Sequence, residues 1–165
     1  MLHEIKSLLI DKFGSEVIQS ENPSGLQPWL AIKVDFIEKV CHELHDNPKT
    51  FFDFLSCLSG VDNGPQQNTL EVIYNLCSIP HKTQLTLKVI VPRQTEDGSL
   101  PSVPSVCSVW GTANWHEREA YDMIGINFIN HPDLRRILCP QDWEGYPLRK
   151  DYKTQEFYHG IKVEY

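Results

Sequence analysis

The residue types best suited to acid–base chemistry lie together in the stretch HEREAYDMIGI, residues 116–126. It supplies the imidazole and carboxylates that hydrolases use as general acids and bases: His116, Glu117, Glu119 and Asp122. On a helix, at about 100° per residue, the other three side chains project roughly 100° to 160° away from Glu117. Because these groups do not converge, a free-standing hydrolase that uses Glu117 and His116 is kept only as an alternative interpretation.

Glu117 stands where an apolar side chain is expected. A helix over residues 103–124 would place its apolar residues within one arc of roughly 100°: Val103, Val106, Trp110, Ala113, Ala120, Tyr121 and Ile124. Glu117 falls in the middle of that arc. An isolated carboxylate there is costly to desolvate, so it must be paired, protonated, or facing something other than the chain's own core. Arg118 and Asp122 are four residues apart, a spacing that predicts an ion pair on the flank of the helix.

A second pattern with possible chemistry is HELH, residues 42–45. Two histidines three residues apart on a helix can share a metal ion. The spacing is not that of the zinc proteases, however, and no third ligand suggests itself. We therefore interpret His42 and His45 as part of a solvated helix face.

Composition excludes several classes of function. The five cysteines are widely spaced with no CxxC pair, which indicates a reducing compartment and argues against a disulfide scaffold or an iron–sulfur site. The formal net charge of -7 disfavours nucleic acid as a partner. The chain contains no phosphate loop, dinucleotide fingerprint or nucleophile elbow, no apolar run long enough for a membrane span, and no signal-peptide pattern at its start.

Hydrophobic periodicity predicts the elements that position these residues. Helices are expected over residues 2–13 and 36–46, the second with Asp35 as its N-cap, and the long helix over residues 103–124. The segments PWLAIKV, FDFLSCLSGVD, TLEVIYNLCSI and TQLTLKVIV are strand candidates. The last two alternate apolar and polar residues, with only a short turn between them, so they are predicted to pair antiparallel.

From His131 onward the pattern changes. The segment contains Pro132, Pro140 and Pro147, and a proline density of this kind excludes a long helix or a central strand. It is nevertheless rich in residues of the buried type, including Trp143. We therefore predict an α+β core domain over residues 1–130, with a small, mainly antiparallel sheet packed against helices in two layers. An extended, proline-containing C-terminal arm, residues 131–165, follows it and packs against another surface.

Two stretches of this sequence resemble a known family. EREAYDMIGINFINHPDLRRIL, residues 117–138, resembles the signature of the C-type subunit of the proton-translocating NADH:quinone oxidoreductase, respiratory complex I, which is called J in the plastid-type enzyme. DWEGYPLRKDY, residues 142–152, resembles a second stretch of that family, and FDFLSCLSGVD, residues 52–62, with the two strand segments after it resembles its β core. The likeness covers roughly residues 30–152.

This resemblance implies a non-catalytic component in the peripheral arm of the complex. Such a protein supports assembly of the module that passes electrons from NADH to quinone, coupled to proton translocation. It implies no cofactor in this chain, with FMN and iron–sulfur clusters held by partner chains, and it implies docking on the quinone-site subunit (D) and the terminal-cluster subunit (B). The place implied is the cytoplasmic side of the bacterial inner membrane, with membrane association only through the complex. The equivalent component of a membrane-bound hydrogenase-type complex is the first alternative.

The resemblance also suggests how Glu117 is held. We expect an arginine to bind it, either Arg118, the pair Arg135 and Arg136 folding back, or an arginine of a partner chain. The charged helix end would then be a polar interface and not an active site. The full set of signature and interface residues expected from the resemblance is Glu117, Arg118, Glu119, Asp122, His131, Arg135, Arg136, Asp142, Trp143, Arg149, Lys150, Asp151 and Tyr152.

Overall fold

A computed structural model describes residues 2–163 of the protein. Residue 1 of the predicted core domain and residues 164 and 165 of the predicted arm lie outside the described residues. The helices are α1 (Leu2–Phe13), α2 (Ile37–Asp46) and α3 (Ala113–Ile124). The strands are β1 (Ile18–Asn22), β2 (Trp29–Ile32), β3 (Phe54–Asp62), β4 (Thr69–Ser78), β5 (Thr83–Pro92), β6 (Ser102–Pro104), β7 (Asn127–Ile129), β8 (Phe157–Tyr158) and β9 (Ile161–Lys162).

The main sheet has five strands in the order β1-β2-β5-β4-β3. Three of its pairings are antiparallel, and only β2 with β5 is parallel. Along β4, buried and half-buried residues alternate, because successive side chains of a strand point to opposite faces. The predicted antiparallel pairing of β4 with β5 and the predicted α+β class are confirmed.

The helices cover the sheet through apolar faces. Ile5 and Leu9 of α1 and Val40 and Leu44 of α2 are buried in the same hydrophobic core as the strands. Helix α3 lies closest to β3, where Gly60 leaves room for it: a Cβ atom there would come within 3.2 Å of the Ala120 side chain. A side chain at position 60 would therefore push the helix away from the sheet.

The helix predicted over residues 103–124 is shorter than expected. Residues 102–104 form β6, which pairs in parallel with β7, and α3 begins only at Ala113. Val103 and Val106 are nevertheless buried, because a short strand and the turn after it bring them to the same core. Their helical spacing was a coincidence of sequence.

The predicted cap of α2 is also wrong. A 3-10 turn over Val34–Phe36 precedes the helix, and the residue at the cap position is Phe36, with no side-chain hydrogen bond. Strand β1, the β6–β7 pair and the β8–β9 hairpin had no sequence signal, because each is short and β1 is mostly exposed on both faces. None of the helices within residues 2–163 combines the length and the apolar character needed to cross a membrane.

Gly125 ends α3 in a left-handed conformation, with φ of 76° and its amide donating to the carbonyl of Tyr121. This geometry favours glycine because a Cβ is strained there. A Cβ at this position would also lie 2.7 Å from a ring carbon of Tyr146, which belongs to the C-terminal arm. The helix therefore ends where the arm crosses it.

We expect Gly125→Ala to lower the free energy of unfolding by about 1–3 kcal/mol, because it combines left-handed strain with a collision against Tyr146. Urea unfolding followed by circular dichroism measures the change. Gly111→Ala is the matched control, since a Cβ there meets nothing within 4 Å and its φ is not positive. Equal unfolding midpoints for the two variants would contradict the contact with Tyr146.

Candidate functional site

The C-terminal arm is fastened to the core domain by one buried carboxylate at the end of α3. Asp122 is fully buried, and its Oδ2 atom accepts hydrogen bonds from three consecutive backbone amides, at 3.0, 2.7 and 2.9 Å. The donors are Ile137, Leu138 and Cys139. Its Oδ1 atom pairs with Arg136 at 2.9 Å. Burial by itself raises the pKa of Asp122, but the three amides and Arg136 outweigh it, so the pKa lies below its ordinary value.

Two arginines of the arm complete this fastening. Arg136 also donates to the carbonyl of Gly145 at 3.0 Å, so it links the helix end to the middle of the arm. Arg149 donates to the carbonyl of Ile124 at 2.7 Å and so satisfies one of the carbonyls left free at the end of α3. Both guanidinium groups lie against the ring of Tyr146, at 5.3 and 4.9 Å from its centroid.

A second buried cluster joins the arm to the edge of the main sheet. Asp62, at the end of β3, accepts from Arg93 at 2.9 Å and from the backbone amide of Lys150 at 2.8 Å. The amide of Gly64 binds its other oxygen at 2.9 Å. Burial raises the pKa of Asp62, yet these donors bring the pKa below its usual value. Arg93 in turn binds Asp151, so one arginine holds a core carboxylate and an arm carboxylate together.

The remaining arm residues contact one another near the end of the described chain. The indole of Trp143 donates to the hydroxyl of Tyr152 at 3.0 Å. Asp142 accepts from the hydroxyl of Tyr158 at 2.8 Å and contacts the ring of His159 at 2.7 Å. Hydrogen bonding to Tyr158, the strongest effect, and to His159 lowers the pKa of Asp142. The β8–β9 hairpin is thereby held against the middle of the arm.

Glu117 accepts hydrogen bonds from neutral donors. The expectation that Arg118, Arg135 or Arg136 of this chain binds it is therefore wrong. Glu117 is fully buried, and it accepts from the Ser105 hydroxyl at 2.6 Å and from the Val106 amide at 2.7 Å. The Cys107 thiol donates to it at 3.4 Å. Burial raises the pKa of Glu117, and these hydrogen bonds only partly oppose it. Burial likewise raises the pKa of the Cys107 thiol, to about 11.

Arg118 has partners other than the predicted one. Its Nε donates to the backbone carbonyl of Arg135 at 3.2 Å, and its guanidinium lies 4.7 Å from the ring of Trp115. The predicted ion pair with Asp122 is therefore replaced by contacts to the arm and to the preceding helix turn. Arg135 pairs at the surface with Asp133. The reason is that Asp122 points into the turn at residues 136–139, away from the flank of the helix.

The structure divides the sequence-predicted residues into groups. Asp122, Arg136 and Arg149 meet at the end of α3, and Lys150 and Asp151 meet the sheet edge. Glu119 is exposed. His42 contacts Ser108 and His45 contacts Asp46, as expected of a polar helix face.

Sequence reasoning missed Asp62 and Arg93, although a signal existed. Strands β3 and β5 both run antiparallel to β4, so their final residues lie at the same end of the sheet, on either side of the start of β4. A carboxylate at the end of one and an arginine directly after the other can meet there. Ser105 and Cys107 were missed because they were assigned to a helix.

The geometry defines a class: a small α+β protein in which several charged signature residues, Asp122, Arg136 and Arg149 among them, fasten an arm to the core domain. Residues 30–158 match the family of the 30 kDa subunit of respiratory-chain NADH dehydrogenase. The chain belongs to that family. The resemblance noted in the sequence is thereby confirmed.

Similar proteins extend the match across almost the whole chain. The C subunit of the NADH-quinone oxidoreductase of Chloroherpeton thalassium is 48% identical over 99% of this chain, which spans 66% of that protein's length. The protein of the same description from Chlorobium phaeobacteroides is 49% identical, over 94% of this chain and 90% of its own length. A chain of the membrane-bound sulfane sulfur reductase, an archaeal respiratory membrane complex, shares the fold with a TM-score of 0.70 at 20% identity, over 92% of this chain and 85% of its own.

Proposed function

We propose that this chain is a non-catalytic component of an NADH:quinone oxidoreductase that supports assembly of the quinone-reducing module. The observation that carries the proposal is family membership over residues 30–158. Two relatives named as the C subunit of that enzyme are 48% and 49% identical, over 99% and 94% of this chain. In this role the oxidoreductase activity belongs to the complex.

The hydrogen bonds that the carboxylates of Asp122 and Glu117 accept from this chain support a structural role. Both oxygens of Asp122 and both oxygens of Glu117 already accept hydrogen bonds from the protein itself. They lie in separate clusters, since one contacts the arm and the other contacts the turn after β6. A free-standing hydrolase based on Glu117 would need one of these oxygens to reach a substrate.

The surface around the arm supports docking on protein partners. Large apolar side chains are exposed near α3 and along the arm: Trp115, Ile129, Leu138, Leu148, Phe157 and Ile161. Leu138 is 63% exposed and Leu148 is 59% exposed, although the backbone amides of both donate hydrogen bonds to the end of α3. Apolar side chains that a rigid backbone presents to solvent suit a protein interface.

The proposal includes the identity of the partners and their cofactors. The chain would dock on the quinone-site subunit (D) and the terminal-cluster subunit (B), with FMN and the iron–sulfur clusters in other chains of the complex. It would lie on the cytoplasmic side of the bacterial inner membrane and reach the membrane only through the complex. The odd number of scattered cysteines, all free thiols within residues 2–163, agrees with a reducing compartment.

Affinity purification of the tagged full chain from native membranes tests the function. We expect co-purification of the flavin and iron–sulfur proteins, identified by mass spectrometry, together with NADH:quinone activity in the eluate. Recovery of hydrogenase proteins would support the alternative complex instead. Ester or phosphate hydrolysis by the isolated chain, abolished in Glu117→Ala, would contradict the proposal.

Two single substitutions on the arm test whether its exposed apolar side chains form the docking surface. We expect Leu138→Glu and Leu148→Glu to lower recovery of the partner proteins about tenfold, equivalent to about 1.4 kcal/mol of binding free energy, without changing thermal unfolding. Ile79→Glu is the matched control, because Ile79 is also 63% exposed but lies in the turn after β4. Equal recovery for all three variants would show that the arm is not the docking surface.

A further inference from the structure

Glu117 is a buried carboxylate whose hydrogen bonds within residues 2–163 come only from neutral donors. It is a fully buried carboxylate, and none of the ion pairs between residues 2–163 includes it. The donors that bind it are a hydroxyl, an amide and a thiol, all of them neutral. Ionisation of such a carboxylate is costly without a cation close by, and burial accordingly raises the pKa of Glu117.

Two metal-binding side chains lie directly beside this carboxylate. One ligand atom each of Cys107, Glu117 and His131 fall within 4.8 Å of one another. The Cys107 Sγ atom is 3.4 Å from a Glu117 oxygen. Zinc bonds of about 2.0–2.3 Å place tetrahedral ligands roughly 3.5 Å apart, so a small side-chain adjustment converts the cluster into a coordination shell.

We propose that Cys107, Glu117 and His131 bind one zinc ion, with water in the fourth position. A thiolate, a carboxylate and an imidazole form the mixed sulfur, oxygen and nitrogen set that suits zinc. The two negative ligands neutralise the divalent charge once the thiol has released its proton to solvent. The ion places a divalent positive charge beside the buried carboxylate.

The surroundings allow both entry and orientation of the ion. Cys107 and His131 are partly exposed, so two of the three ligand side chains are accessible from solvent. The His131 ring contacts the Asn114 carbonyl at 3.0 Å and the Asp133 amide at 3.0 Å. Binding of the ion by one ring nitrogen replaces one of these contacts. The contact to the Asn114 carbonyl is of the kind that orients metal-bound histidines.

The three ligands come from separate parts of the fold. Cys107 lies in the turn after β6, Glu117 lies in α3, and His131 is the first residue of the C-terminal arm. A zinc ion would therefore tie the start of the arm to the core domain, at a point distinct from the Asp122 and Asp62 clusters. This role is independent of the partner proteins and of the proposed function.

Titration of the full chain with zinc chloride, after removal of metals by a chelator, tests the site by calorimetry. We expect one zinc ion per chain and a higher thermal unfolding temperature in its presence. Cobalt(II) in place of zinc should give the absorption bands of tetrahedral thiolate coordination, which a surface histidine pair cannot produce.

Cys107→Ser and His131→Gln are expected to weaken zinc binding at least about tenfold and to remove the thiolate band or alter it. Serine at position 107 retains a donor for Glu117, so the variant should fold. Cys57→Ser is the matched control, because Cys57 is also partly exposed but lies on β3 and contacts Ser59. No zinc binding by the unaltered chain, or equal binding by all three variants, would overturn the proposal.

Discussion

Asp122→Asn is expected to lower the free energy of unfolding by about 3–5 kcal/mol. The carboxylate is fully buried and accepts from three backbone amides and from Arg136. An asparagine side chain keeps the shape but brings two N–H donors, one of which must face a donor of the arm or the guanidinium. Arg136, with its side chain 11% exposed, then loses its only carboxylate partner among the ion pairs of residues 2–163.

Urea unfolding followed by fluorescence measures this loss. Asp133→Asn is the matched control, because Asp133 pairs with Arg135 at the surface, where both side chains are at least half exposed. Such pairs contribute about 0–1 kcal/mol. If the two variants were equally stable, the turn at residues 136–139 would not depend on the buried carboxylate.

The same carboxylate makes the arm sensitive to acid. The pKa of Asp122 is below its ordinary value of 3.8 in the folded protein, whereas the unfolded chain binds the proton near the ordinary value. The stability that it contributes is therefore complete above about pH 4 and is lost as the pH falls through the folded pKa. We expect the free energy of unfolding to fall less steeply below about pH 4 in Asp122→Asn than in the unaltered chain.

Arg93→Met is expected to lower the free energy of unfolding by about 3 kcal/mol. Its side chain is 8% exposed and joins Asp62, 1% exposed, to Asp151 of the arm. Methionine fills much of the volume but leaves the Asp62 charge buried, with only the amides of Gly64 and Lys150 to bind it. The link between the sheet edge and the arm is lost at the same time.

Two measurements separate these effects. Urea unfolding reports the loss of stability, and limited trypsin digestion reports release of the arm through faster cleavage at Lys150. Lys6→Met is the control, since the Lys6–Glu21 pair is about one third exposed and contributes at most about 1 kcal/mol. Unchanged cleavage in Arg93→Met would show that Asp151 does not hold the arm.

The boundary between core domain and arm, predicted at residue 130, stays a prediction. What the structure adds is that the arm makes dense polar contacts with its own chain, at the end of α3 and at the edge of β3. The arm was expected to dock on partner proteins. That docking also stays a prediction: the backbone amides and arginines of the arm contact the core domain, while its exposed apolar side chains remain available to a partner.

The sequence by itself determined the features that depend on neighbouring residues. Alternation defined β4 and β5, spacing of apolar residues defined α1 and most of α2, and the residues from Glu117 to Leu138 identified the family. It also placed Glu117 on the apolar face of the helix, where the structure finds it buried, but it left open what surrounds the carboxylate.

Only the tertiary structure decided which groups meet. Asp62 and the amide of Lys150 are 88 residues apart in sequence, and nothing local couples them. The start of α3 was misplaced because a strand and a turn can bury the same apolar residues as a helix. The donors to Glu117 are neutral because the turn after β6 places the Ser105 hydroxyl beside the carboxylate, whereas Arg136 binds Asp122. Periodicity records which face a side chain occupies, whereas the partner of a buried charge is set by the path of the distant chain.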